Sequence, residues 1–141
     1  MSSIKFEIKS IDISEDLKFL ENSISEFNGP ALASKRLPLN IIHRNAAGEI
    51  IGGLSGFTNW GWLYIRLLWV SNANRKQGLG AQLMAAAEAE AVSRQCDGAW
   101  VDTFSPVAKS FYESIDYSQF GILQQFPKNH CRFFLFKNLG R

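Results

Sequence analysis

Apolar and polar residues alternate through "IKFEIKSI" (4–11), which predicts a β-strand. The period then changes. Leu17, Leu20, Ile24 and Phe27 recur at helical spacing and predict a helix with one buried stripe. Ser14 stands where the N-cap belongs, Glu15 and Asp16 follow in the first turn, and Asn28-Gly29-Pro30 ends the helix. Residues 29–38 read as a loop with room for one helical turn. Three strands come next, "LNIIHRN" (39–45), "EIIGGLSGFT" (49–58) and "WLYIRLLWV" (62–70). Ala46-Ala47-Gly48 and Asn59-Trp60-Gly61 make the turns between them, and Gly52-Gly53 predicts a bulge. A helix follows from about Gly78 to Gln95, then a strand over "AWVDTF" (99–104). Ser105-Pro106 opens a second helix over "VAKSFYESI" (107–115), with Val107, Phe111 and Ile115 as its buried stripe. Two strands close the chain, "YSQFGILQQF" (117–126) and "HCRFFLFKNL" (130–139), around Pro127-Lys128-Asn129. This order predicts an α/β (α+β) fold in one domain over residues 1–141: a mixed, mostly antiparallel sheet of about seven strands flanked by helices.

One place goes against helix propensity. Gly78 and Gly80 stand at the start of the central helix, in "RKQGLG" (75–80), although glycine costs about 1 kcal/mol relative to alanine in a helix interior. A plain strand-to-helix turn is one reading. The other is an anion site: a helix N-terminus leaves backbone N–H groups unpaired, and the macrodipole makes that end partly positive. Glycines let phosphate oxygens approach those amides, and Arg75 and Lys76 add positive charge beside them. Two phosphate motifs do not fit. Leu83 stands where the dinucleotide fingerprint has its third glycine, and the Gly-Lys-Ser/Thr of a P-loop is absent.

Composition narrows the class. The 141 residues are 46% hydrophobic and 20% charged, the profile of a globular domain. A net charge of +2 does not argue for a nucleic-acid partner. The longest uncharged run, Ile50 to Ile65, is shorter than the roughly 20 apolar residues that span a bilayer, so no membrane association is expected. "MSSIKFEIKS" has no apolar core of a signal peptide, which makes a cytoplasmic location the expectation. Cys96 and Cys131 are too few for a disulfide framework or a zinc cluster, and His43 and His130 are isolated, so no metal is expected.

The strand ending at Val70, a four-residue gap, Arg75-Lys76-Gln77-Gly78-Leu79-Gly80 and a helix together resemble the acyl-coenzyme A signature of the GNAT superfamily of N-acetyltransferases, Gln/Arg-x-x-Gly-x-Gly/Ala. "AKSFYESIDY" (108–117) is similar to a second GNAT pattern, Ala-x-x-x-Tyr-Glu-x-x-Gly-Phe, and the element order matches the family's over nearly the whole chain. The resemblance implies transfer of an acetyl group from acetyl-coenzyme A to a primary amine, by direct attack in a ternary complex. It implies that amides of Lys76, Gln77, Gly78, Leu79, Gly80 and Ala81, with Arg75 beside them, hold the pyrophosphate. The pantetheine arm would lie along Leu68, Trp69 and Val70 like an added strand. The Leu68 N–H would polarise the thioester carbonyl, and Tyr112 would protonate the departing thiolate. By analogy the acceptor is a small-molecule or peptide amine, and a homodimer is possible.

Some positions depart from the family pattern. Ser105 replaces the asparagine often found three residues before Ala108, and Asp116 replaces a glycine. Asp tolerates the left-handed conformation better than most residues. Tyr64 occupies the position that supplies a glutamate base in some members, and a phenol with a pKa near 10 is a poor base at neutral pH. Either water carries the amine proton away or another acid serves, with Asp102 the candidate. Unbroken alternation puts Tyr64, Arg66, Leu68 and Val70 on one face of their strand. Arg66 there either neutralises an acidic substrate group or pairs internally with a carboxylate such as Asp102. Tyr64, Arg66 and Asp102 are thus the candidate acceptor-site residues. The alternative is a coenzyme-binding module of the same fold without the chemistry.

Overall fold

The computed structural model describes residues 3–140, which form two compact units divided after Ser34. The N-terminal unit holds one helix, α1 (Ser14–Asn28), and a single 3-10 turn (Pro30–Leu32). Gly29, at φ +83°, ends α1 with its N–H donating to the Ser25 carbonyl at 3.0 Å. Two expectations fail in this unit. Ser14 is the first helical residue rather than the cap, and its hydroxyl donates to Asp12 Oδ1 at 2.6 Å. Residues 3–13 form no strand. Alternation decides which face a segment shows but supplies no neighbour to hydrogen-bond with. Within this unit the stripe of α1 is not buried, because one helix and one turn offer no second layer to pack on.

The second unit carries the sheet, six strands where about seven were expected. They are β1 (Leu37–Arg44), β2 (Ile50–Asn59), β3 (Trp62–Val70), β4 (Gly98–Thr103), β5 (Ser118–Gln124) and β6 (Cys131–Asn138). Their order is β1-β2-β3-β4-β6-β5, with β3–β4 the one parallel pair among the described strands. Helix α2 (Leu79–Ser93) follows β3, and α3 (Pro106–Ser114) follows β4. Both contribute to one core with Leu54, Leu63, Ile65, Val101 and Leu135 of the sheet. The small Ala87 and Ala91 let α2 lie close to the sheet, and Gly52 makes room for Leu79, whose Cδ2 would lie 2.9 Å from a Cβ there. The bulge predicted at Gly52-Gly53 falls one residue earlier, where Ile51 is skipped between the His43–Gly52 and Arg44–Ile50 pairs.

A second bulge was not foreseen. Ser55 pairs with Leu67 and Gly56 with Ile65, so Arg66 has no partner on β2. The extra residue reverses the alternation of β3. Leu63 and Ile65 face the core before it, Leu68 packs on the core after it, and Leu67 and Trp69 turn outward. The single face expected for Tyr64, Arg66, Leu68 and Val70 is therefore divided. Gly56 is a packing requirement of this bulge, since a Cβ there would run into the Tyr64 carbonyl. Pairing of β3 with β4 stops at Ile65–Val101, and beyond that point the two strands part.

Candidate active site

The parting of β3 from β4 opens a cleft of about 740 Å³. One wall is Leu68, Trp69 and Val70, whose strand edge on the β4 side has no strand neighbour among the described residues. The floor is the turn into α2, with Arg75, Lys76, Gly78, Leu79, Gly80 and Ala81. The opposite wall is α3 and its N-cap, with Ser105 and Tyr112. The structure thus gathers the expected coenzyme-site positions around one cavity. Gln77 is the exception: its side chain turns back toward the Ala73 carbonyl, 3.4 Å away, and it does not line the cleft. Asn74, Val107, Ala108 and Phe111 line it too and were not expected from sequence as site residues. Their signal is only adjacency to the two glycine and tyrosine motifs.

Local conformation explains the loop. Gly78 is the N-cap of α2 at φ +79°, with no atom close to where a Cβ would stand, and Lys76 is also left-handed at φ +64°. Being glycine, the cap has no side chain to occupy the first helical amides, and no acidic residue follows in the first turn. Those amides are open to an anion. Gly80 has a further reason to lack a side chain: a Cβ would sit 3.3 Å from Phe111 Cζ. The glycine thus lets α2 and α3 close on one another. Arg75 Nε donates to the Val70 carbonyl at 2.9 Å, tying the loop to the end of β3.

Ser105 caps α3 as expected, its hydroxyl accepting the Ala108 N–H at 3.2 Å. The stripe of α3 differs from the expectation. Val107 is 81% exposed, whereas Tyr112 is 7% exposed and belongs to the core. Phe111 and Ile115 of the expected stripe do pack against the core, with Ala108 beside them, and Tyr112 is the buried member of the helix. Tyr112 stands edge-on to Phe111 and Tyr117. Among the described residues its hydroxyl has no hydrogen-bond partner. Burial first, and then the Asp102 charge, push its pKa up to about 12. Asp116 adopts φ +76°, the left-handed turn that the family's glycine makes.

Tyr64 and Asp102 come together on the sheet face opposite the one that packs on α2 and α3. Tyr64 stacks on Trp100 with ring centroids 4.3 Å apart and donates its hydroxyl to Asp102 Oδ1 at 2.7 Å. Burial, the Asp102 hydrogen bond and its charge push Tyr64 up to about 12 against the opposing charges of Arg132 and Arg66. Tyr64 is therefore a donor at neutral pH. The internal pair expected between Arg66 and Asp102 is not formed; the partner is Arg132, whose NH1 donates to Asp102 Oδ2 at 3.0 Å. Arg132 lies over the rings of Phe126 and Phe104, and among the described residues its buried Nε has no hydrogen-bond partner. Sequence reasoning missed Arg132. Its one signal is the alternation of β6, which sets it on the face of Phe134 and Phe136, away from Leu135.

A mixed sheet opened at one parallel pair, with a strand edge, a helix N-terminus and a buried phenol around the opening, is the arrangement that the resemblance to GNAT acetyltransferases implies. Residues 13–117 match the acetyltransferase (GNAT) family, and the chain belongs to that family. An acetyltransferase of Agrobacterium fabrum is 44% identical over 90 residues, 64% of this chain and 66% of that protein. The blasticidin-S acetyltransferase of Streptomyces morookaense is 33% identical over 128 residues, 83% of this chain and 94% of that protein. The crystal structure of an acetyltransferase from Agrobacterium tumefaciens superposes with a TM-score of 0.83 at 34% identity, covering 96% of this chain and 99% of that one. The chain is an N-acetyltransferase by that membership. Among the described residues no helix is long and apolar enough to cross a membrane.

Proposed function

We propose that this protein transfers the acetyl group of acetyl-coenzyme A to a primary amine by direct attack within a ternary complex. The observation that carries the reading is the cleft itself. It joins open helix amides, a strand edge and a tyrosine hydroxyl that have no partner among the described residues. The loop amides from Lys76 to Ala81 hold the pyrophosphate, and Arg75 adds charge. Leu68 to Val70 take the pantetheine arm as a strand takes a neighbour. Holding both reactants together supplies much of the rate.

The chemistry follows from these groups. The amine nitrogen attacks the thioester carbon, and the Leu68 N–H stabilises the charge that develops on the carbonyl oxygen. The carbon–sulfur bond then breaks, and Tyr112 gives its proton to the sulfur. The high pKa of Tyr112 keeps that proton in place at neutral pH. The amine proton leaves through water or through the Asp102 carboxylate, whose oxygens each keep a second lone pair beside the Tyr64 and Arg132 hydrogen bonds. The similarity to blasticidin-S acetyltransferase makes small-molecule amines, including that antibiotic, the first acceptors to try. Initial rates measured with acetyl-coenzyme A and the amine both varied test the mechanism. Intersecting double-reciprocal lines are expected. Parallel lines would show an acetylated enzyme intermediate and overturn direct attack.

A further inference from the structure

We propose that the acceptor amine carries an anionic group, a carboxylate on the same small molecule, and that Arg66 binds it. The inference rests on the reading above, which places the acceptor at the opening between β3 and β4. Arg66 is the bulged residue at that opening. Bulges re-aim a side chain that a regular ladder would have fixed. Arg66 is exposed, and among the described residues it makes no ion pair and no hydrogen bond.

Charge matching decides what Arg66 awaits. Three charged side chains act on the Tyr64 phenol: Asp102, Arg132 and Arg66. The one carboxylate among them is already committed, with Oδ1 accepting from Tyr64 and Oδ2 from Arg132. Arg132 is held in that pairing by the faces of Phe126, 4.3 Å away, and Phe104, 5.5 Å away. The pair is only 20% and 17% exposed, so it is shielded from competing ions. This leaves one guanidinium in excess at the opening. A guanidinium presents a planar fork that matches a carboxylate. A second cationic group on the acceptor would be repelled there, and an anionic one attracted.

The test compares ω-amino carboxylates, plain alkylamines and α,ω-diamines of three, four and five carbons. Each is titrated by calorimetry into the full-length protein saturated with desulfo-coenzyme A, where no turnover occurs. The expected order is amino carboxylate tightest, alkylamine next and diamine weakest, with about tenfold between the first two. Arg66→Gln is expected to abolish the first preference, and Arg66→Lys to restore part of it. Melting temperatures of both variants check that the fold is kept. A different order, no measurable binding of any probe, or a preference that survives Arg66→Gln overturns the proposal. Because these titrations need no acetyl transfer, a failure of the transferase reading shows itself separately, in thiol release.

Discussion

The Tyr112 ring is buried, yet its hydroxyl binds no protein group among the described residues, so removing that hydroxyl leaves no partner unsatisfied. Tyr112→Phe is therefore expected to keep melting temperature and acetyl-coenzyme A affinity. Its kcat should fall about tenfold or more, toward the low end for general acid catalysis, because a thiolate with a pKa near 8.5 can leave unaided. Full kcat would reduce Tyr112 to a packing residue. The pKa of about 12 adds a pH signature. The folded state favours the protonated phenol, so this group stabilises the fold below pH 10, and that contribution is lost as pH rises from 10 to 12. The drop in melting temperature across that window should be smaller in Tyr112→Phe. This residue was legible because its motif lies within ten consecutive positions. Arg132 was not: it stands 30 residues from Asp102, and only the register of β4 on β6 brings them together.

Among the elements, β3 positions the site most directly, and its bulge was hidden in the sequence. "WLYIRLLWV" has no glycine or proline to mark an interruption. The marker lies on the partner strand, at Gly56, where the Tyr64 carbonyl fills the space a side chain would need. Reading each strand alone therefore put Arg66 and Leu68 on one face. Gly56→Ala is expected to lower stability by about 1–3 kcal/mol, as overpacking does. It should also lower kcat, because forcing β3 to move disturbs its edge at the cleft. Denaturant unfolding and initial rates check both effects. Unchanged stability would mean that β3 shifts freely and that the bulge is not locked by this contact. The loop into α2 was legible by contrast, since glycine at a helix start has few explanations. The close approach of Phe111 to Gly80 was not, because it depends on how two helices meet.

For the molecule as a whole, the alternation of strand and helix conveyed the class, and two motifs conveyed the family. The exchange of β5 and β6 in the sheet order was not legible, since a hairpin shows which strands pair but not which one meets β4. The expected strand in residues 4–11 shows the same limit, because a pattern without a neighbour makes no ladder. The opening between β3 and β4 depends on both effects, a bulge in one strand and an order that places β4 beside it. In the proposed mechanism, that opening is where coenzyme and acceptor would be brought together. The most direct test of this claim is release of coenzyme A thiol from acetyl-coenzyme A, followed with and without a panel of amines. The panel spans amino carboxylates, alkylamines, polyamines, peptides and blasticidin S. The account predicts release that depends on at least one amine and saturates with both substrates. Tight binding of acetyl-coenzyme A with no amine-dependent release across the panel would contradict it and leave a coenzyme-binding module.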